Sequence, residues 1–221
     1  MKSLYKKYAH WLLLLYFPVY LAAFVFVEQH IPRRMHIIES ALDMKIPFIE
    51  YFIVPYFLWF LYIAVGVVYF LLFEEESYKR FMYLIMIGMT VFILVSIIFP
   101  NGLMLRPVYF AHDNIFVDLT KFLYSIDTAT NVFPSIHVFN SLAMHCVVAK
   151  SPRLRENKIV ICISFLLCVS IILSTMFLKQ HSVFDVISGM GLFCVAYSVI
   201  YQEIPRKIFV HTTYVYNEDN K

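Results

Sequence analysis

Long stretches free of Asp, Glu, Lys and Arg recur along the chain, separated by shorter polar segments. Six stand out: Ala9–Val27, Tyr51–Phe73, Phe81–Phe99, Asn131–Ala149, Ile159–Leu178 and Val186–Gln202. Each is close to the roughly 20 apolar residues a helix needs to cross a bilayer. Their apolar residues run on without the two-residue alternation of a barrel strand, so helices are the spanning form. The pattern predicts an all-α, polytopic membrane protein. It has one domain over 1–202, a six-transmembrane-helix bundle with spans near 9–27, 51–73, 81–99, 131–149, 159–178 and 186–202. A polar cytoplasmic tail follows over 203–221. The fourth span is the most polar.

The first span follows the basic segment MKSLYKK, as a signal peptide would. Its apolar core exceeds the roughly 7–15 residues of a signal, and no small-x-small site follows Val27, so it reads as a retained helix. The connections 28–50 and 100–133 are long for a compact bundle. In the second, Ile115, Phe116, Leu119, Phe122 and Leu123 recur at helical spacing, with Asp113, Asp118 and Lys121 elsewhere on the wheel. This predicts a short amphipathic helix in the membrane interface, as a packing lid or as a guide for lipid headgroups.

Composition agrees with a bilayer as solvent. The chain is 61% hydrophobic and 15% charged, with a mean hydropathy of +0.73, which excludes a soluble globular domain and a disordered chain. Net charge is +3 without a dense basic block, so nucleic acid is not a partner. Orientation follows from Lys and Arg. With the N-terminus inside, the inner segments hold twelve and the outer segments six, Arg33, Arg34, Lys45, Arg106, Lys121 and Lys179. Both termini are expected in the cytoplasm and the outer loops beyond the cell membrane. Cys146, Cys162, Cys168 and Cys194 all lie in apolar spans without ligand spacing and read as structural.

Ionisable side chains at membrane depth are costly and therefore candidates for chemistry. Three clusters fall at outer span ends. In NVFPSIH, Pro134 suits a first helical turn, which puts Ser135 and His137 at a helix start, where free N–H groups attract anions. The plain alternative is a capped, solvated histidine. In STMFLKQHSVFD, His181 and Asp185 are four apart and share a helix face. The carboxylate can hold one ring N–H and raise the basicity of the other nitrogen; the alternative is an interfacial ion pair. Arg106-Pro107 offers a fork-shaped phosphate donor or a snorkelling arginine. No metal-ligand spacing and no carboxylate cage are present, so neither metal nor cofactor is expected. Other polar residues take plainer readings. His145 packs between helices, and His112 and Asp113 are loop. Asp127, Thr128 and Asn131 serve turns, Asp43 and Glu50 are interfacial, and Glu74–Glu76 is a solvated turn.

Over about residues 46–202 the chain resembles the type-2 phosphatidic acid phosphatase superfamily, whose motifs read Lys-x6-Arg-Pro, Pro-Ser-x-His and Ser-Arg-x5-His-x3-Asp. Here they stand as Arg106-Pro107, Pro134-Ser135-Ile136-His137 and Ser174-Thr175-x5-His181-x3-Asp185. Two basic residues are missing, replaced by Phe99 and Thr175. Loss of the second is shared with the inositol phosphorylceramide synthase-like branch, which NVFPSIH also resembles. The resemblance implies that His181, oriented by Asp185, attacks phosphorus and that His137 protonates the leaving oxygen. It also implies that Arg106 and Ser135, with Ser174, Thr175 and Lys179, bind the phosphate. Water as acceptor makes a lipid phosphatase and an alcohol makes a phosphotransferase. A non-catalytic scaffold or transporter is the third reading. The expected partners are a membrane lipid phosphate, the bilayer and a second copy of the chain as a homodimer.

Overall fold

The computed structural model describes residues 8–30 and 34–203. Arg33 and the tail from 204 onward lie outside the described residues. A 3-10 segment, Ala9–Leu15, leads into α1 (Tyr16–Gln29). Then come α2 (Ile53–Phe73), α3 (Glu75–Ile98), the short α4 (Ile115–Ile126), α5 (Ile136–Lys150), α6 (Lys158–Phe177) and α7 (Val183–Ser198). The long connections meet in a two-residue parallel ladder, β1 (His36–Ile37) on β2 (Asn101–Gly102).

Among the described residues, five helices are long and apolar enough to span a membrane: Ala9–Gln29, Glu50–Phe73, Glu75–Ile98, Lys158–Phe177 and Val183–Tyr201. The fourth expected span is the exception. Residues 131–135 are irregular and α5 has 15 residues, about 22 Å at 1.5 Å per residue. It stands inside the bundle against α2, α3, α6 and α7. A short helix with irregular backbone before it is tolerated at this depth because protein rather than lipid surrounds it. The third span starts earlier than its apolar run. Glu75 and Lys79, four apart on α3, pair at 2.6 Å and carry the helix through the charged residues before Phe81. Glu74 is more than a solvated turn residue: Ser77 donates to it at 2.7 Å and Ser151 at 2.5 Å, joining the α2–α3 and α5–α6 turns.

The interior is built around Phe70, Tyr78, Phe81, Ile85, Phe139 and Met144, while Val19, Leu61, Ile159 and Val195 are exposed on the outside. Helices apolar all round are those solvated by lipid, and this is a multi-pass membrane protein. Two glycines set how closely the helices approach. A Cβ on Gly88 would meet the Phe139 ring at 2.4 Å, and one on Gly189 would meet the Ser135 carbonyl oxygen at 2.7 Å. Through the second contact α7 lies against the start of α5, where the Ser135 N–H donates to the Asp185 carbonyl at 3.1 Å. The neighbour of Gly189 is backbone and cannot yield. Gly189→Ala is therefore expected to cost about 1–3 kcal/mol by overpacking, seen as a lower unfolding midpoint. The same variant is expected to turn over poorly, since a misplacement of about 1 Å can cost about 10²-fold in rate.

Candidate active site

The C-terminus of α1, the N-termini of α2, α5 and α7, the C-termini of α3 and α6, and the ladder and α4 all gather at one end of the bundle. His137 enters from the first turn of α5. Ser135 caps that helix, its side chain accepting from the Val138 N–H at 3.4 Å. The His137 ring is buried between two aromatics of α2, Tyr56 and Trp59, with centroids 4.8 and 4.5 Å away. Rings packed this way restrict the imidazole to one orientation.

His181 arrives from the turn between α6 and α7. The Thr175 carbonyl closes that turn by accepting from the Gln180 and His181 N–H groups at 2.9 and 3.0 Å, and Lys179 takes the left-handed conformation at φ 54°. The turn delivers His181 Nε2 to 3.3 Å from His137 Nδ1. On the other side of the ring, Nδ1 lies 3.4 Å from Asp185 Oδ2. That is ion-pair distance but not hydrogen-bond alignment, so His181 Nδ1 and Asp185 Oδ1 are buried with no hydrogen-bond partner among the described residues. Asp185 also completes a capping box, with Oδ2 accepting from the Ser182 N–H at 2.8 Å. Two imidazoles and a carboxylate from α5, the α6–α7 turn and α7 thus converge, all buried.

The two imidazoles line a cavity of about 60 Å³, with Asp185 behind them; its polar wall is Asp127, Thr128, Thr130, Asn131 and Gln180, and its apolar wall is Phe24, Phe92, Val132 and Ile136. Behind the polar wall, Glu28 at the end of α1 accepts from Asn131 Nδ2 at 2.6 Å, from Thr130 Oγ1 at 3.3 Å and from Thr128 Oγ1. Asn101 organises the run into α5: its Oδ1 accepts from the Val132 and Phe133 N–H groups at 2.8 and 2.9 Å. Asp127 is more than a turn residue. Its carboxylate accepts from Tyr56 OH at 2.8 Å and from Gln180 Nε2 at 3.3 Å. Burial pushes that carboxyl above its ordinary range, partly offset by the Tyr56 hydroxyl, His181 and Arg106.

The other expected phosphate ligands are placed elsewhere. Ser174 and Thr175 donate to carbonyls of their own helix, Ile171 at 2.6 Å and Ile172 at 2.7 Å, and do not line the cavity. Lys179 turns away, its ammonium held by the Asp43 carbonyl at 2.7 Å and by the Ile46 carbonyl. Arg106 donates from its two terminal nitrogens to the Tyr124 and Asp127 carbonyls at 3.2 and 2.7 Å and to Gln180 Oε1 at 2.5 Å, while its Nε is buried without a hydrogen-bond partner among the described residues. It lies 4.3 Å over the Tyr124 ring, and burial lowers its pKa. Arginine here staples the C-terminus of α4 to the His181 turn. Phe99, at the position of the missing lysine, stacks on His36 at 4.3 Å.

Asp43 and Glu50 are buried within the protein, 2% and 4% exposed. Glu50 accepts from Asn114 at 3.1 Å and pairs with His112 at 2.8 Å, so His112 is tied into the lid around α4. Asp43 accepts from Ser182 Oγ at 2.6 Å and from the Val183 N–H at 2.8 Å, docking the first long connection onto the start of α7. Asp43→Ala strands both donors, each at about 1–3 kcal/mol. A lower thermal unfolding midpoint is expected, with partial recovery in Asp43→Asn.

A family model described as the PAP2 superfamily matches residues 81–208, more than half of the chain and all of His137, His181 and Asp185. No curated protein and no solved structure matches.

Proposed function

Because the chain belongs to the PAP2 superfamily, whose members are phosphatases and phosphotransferases, we propose that it is a lipid phosphatase working through a phosphohistidine. The observation that carries the reading is the facing pair, His181 Nε2 at 3.3 Å from His137 Nδ1 on one cavity. The tautomer that fits is Nδ1–H on His181, toward Asp185, which leaves the Nε2 lone pair free for phosphorus.

A phosphate monoester entering the cavity takes the place of the contact between the rings. Nε2 attacks phosphorus in line, the P–O bond to the lipid breaks, and protonated His137 gives its proton to the leaving oxygen. General acid help of this kind is worth about 10²–10⁴-fold. Positive charge gathering on His181 is met by Asp185. The first-turn N–H groups of α5 and the helix dipole meet charge on the equatorial oxygens. Water then attacks the phosphorus, His137 accepts its proton, the P–N bond breaks and phosphate leaves. One water needs about 10–15 Å³ of a cavity measured this way. The roughly 60 Å³ here suits a phosphoryl group and a water. Phe24 and Phe92 supply an apolar side for the lipid. The substrate is a phospholipid monoester or a prenyl phosphate or diphosphate, and the site faces the extracytoplasmic side.

A specific observation favours a second reading. Asp127, Asn131, Gln180 and two threonines, backed by Glu28, are groups that bind hydroxyls, which suits an alcohol acceptor and a phosphotransferase. The purified chain is given labelled phosphatidate or prenyl diphosphate in EDTA, with and without inositol or a lipid alcohol. Free phosphate as the main product supports the phosphatase. Label moving into the alcohol supports the transferase, and no turnover of any lipid phosphate contradicts both.

A further inference from the structure

At the end of the bundle away from the histidines, α2, α5 and α6 do not close on one another. They leave a cavity of about 300 Å³, walled by residues that include Phe70, Met144, Val148, Val160 and Ile163. That is within the range of about 300–1,000 Å³ for small-ligand clefts. Two polar side chains on its wall are already satisfied: Tyr62 OH and Ser164 Oγ bond at 2.6 Å, and His145 Nδ1 meets Ser164 Oγ at 3.0 Å. The wall therefore offers hydrocarbon to an occupant.

Its rim is cationic. Leu154 and Val160, both lining residues, lie within and just after the turn that carries Arg153, Arg155 and Lys158, all three exposed. The Arg153 guanidinium lies 5.8 Å over the ring of Phe73, and Phe73 packs at 5.3 Å on Tyr69 of the cavity wall. Two acids lie close: Glu156 pairs with Arg155 at 3.3 Å, and Glu74 of the facing turn is taken by Ser77 and Ser151 at 2.7 and 2.5 Å, which leaves Arg153 and Lys158 to face an anion. Lys158 also opens α6, adding the positive end of a 20-residue helix dipole. An apolar hole under a basic rim at a membrane boundary complements an amphiphile with an anionic head and a long chain.

We infer that this cavity seats one acyl chain of an anionic phospholipid whose phosphate lies on Arg153 and Lys158, in the leaflet opposite the histidine end. This lipid is a bound component, distinct from the substrate at the histidines.

The test is native mass spectrometry of the full chain in detergent, titrated with dioleoyl phosphatidylglycerol and dioleoyl phosphatidylcholine. The glycerol lipid is expected to be retained about 30-fold better, the scale that two juxtamembrane cations supply. Dihexanoyl phosphatidylglycerol, too short to fill the cavity, is expected to be lost. The preference is expected to disappear in Arg153→Gln/Lys158→Gln, and Ile163→Trp, which fills the hole, to release both dioleoyl lipids. Equal retention of the two headgroups by the unaltered chain overturns the inference. So does headgroup preference that survives the double substitution, and so does retention of the short-chain lipid, which would mean surface charge alone. The arms that need no substitution decide the matter if the variants do not fold.

Discussion

His181→Asn is expected to lower turnover of a lipid phosphate by about 10⁴-fold or more, the scale seen when a covalent nucleophile is removed. In barrier terms that is about 5.5 kcal/mol. Asparagine is close to the imidazole in size and polarity, so the turn set by the Thr175 carbonyl and the packing around it survive. What goes is the lone pair on Nε2, 3.3 Å from His137. The loss should be in kcat, with substrate affinity little changed, because the ring acts on phosphorus only as the new bond forms. Melting at the unaltered temperature combined with near-zero phosphate release checks this. Full activity in the variant would remove the nucleophile from the mechanism.

The second large effect is at Asp185. Asp185→Asn keeps an oxygen that can accept from the Ser182 N–H, so the capping box on α7 is retained and folding should change little. The negative charge beside His181 Nδ1, at 3.4 Å, is lost. Nothing then selects the tautomer with Nε2 free, and the cation on the phosphorylated ring is unopposed. In a comparable histidine–carboxylate pair, loss of the carboxylate charge lowers kcat by about 10⁴. An expectation of about 10²–10⁴ here allows for the imperfect alignment of the pair. Activity and midpoint must be measured together: low activity with an unmoved midpoint assigns orientation to Asp185, whereas parallel loss assigns only a cap.

The bundle is legible because a bilayer demands long apolar runs, and α4 is legible because its apolar residues recur at helical spacing with Asp118 and Lys121 elsewhere on the wheel. The core of the site is legible in the motifs that carry His137, His181 and Asp185, but the expected shared helix face is not formed: His181 sits in the turn before the Ser182 cap, and only Asp185 is on α7. The approach of the two histidines was not visible in either motif. It depends on Gly189 letting α7 touch Ser135, a contact between residues 54 positions apart. Tyr56 and Trp59, which hold His137, are aromatics in an apolar run, indistinguishable there from lipid-facing residues. Glu28 and Asp43 carried a usable sign, an acid at the edge of a span, where burial demands a partner; the partners lie about 100 and 140 positions away. Arg106, Ser174, Thr175 and Lys179 show the converse. Motif position proposed phosphate contacts, but local carbonyls and the outer loop compete for the same donors and hold them. The uncharged run over 131–149 is longer at its start than α5 because lack of charge does not distinguish a helix from the ordered loop 131–135 buried beside it.

The central claim is a covalent bond from His181 to phosphorus, and rapid quenching tests it most directly. The purified chain is mixed with ³²P-labelled lipid phosphate, stopped in alkali and mapped by peptide. The account predicts label on the peptide carrying His181, stable in base, lost in mild acid and absent from His181→Asn. Turnover with no labelled protein at any time, or label that persists in His181→Asn, would contradict it.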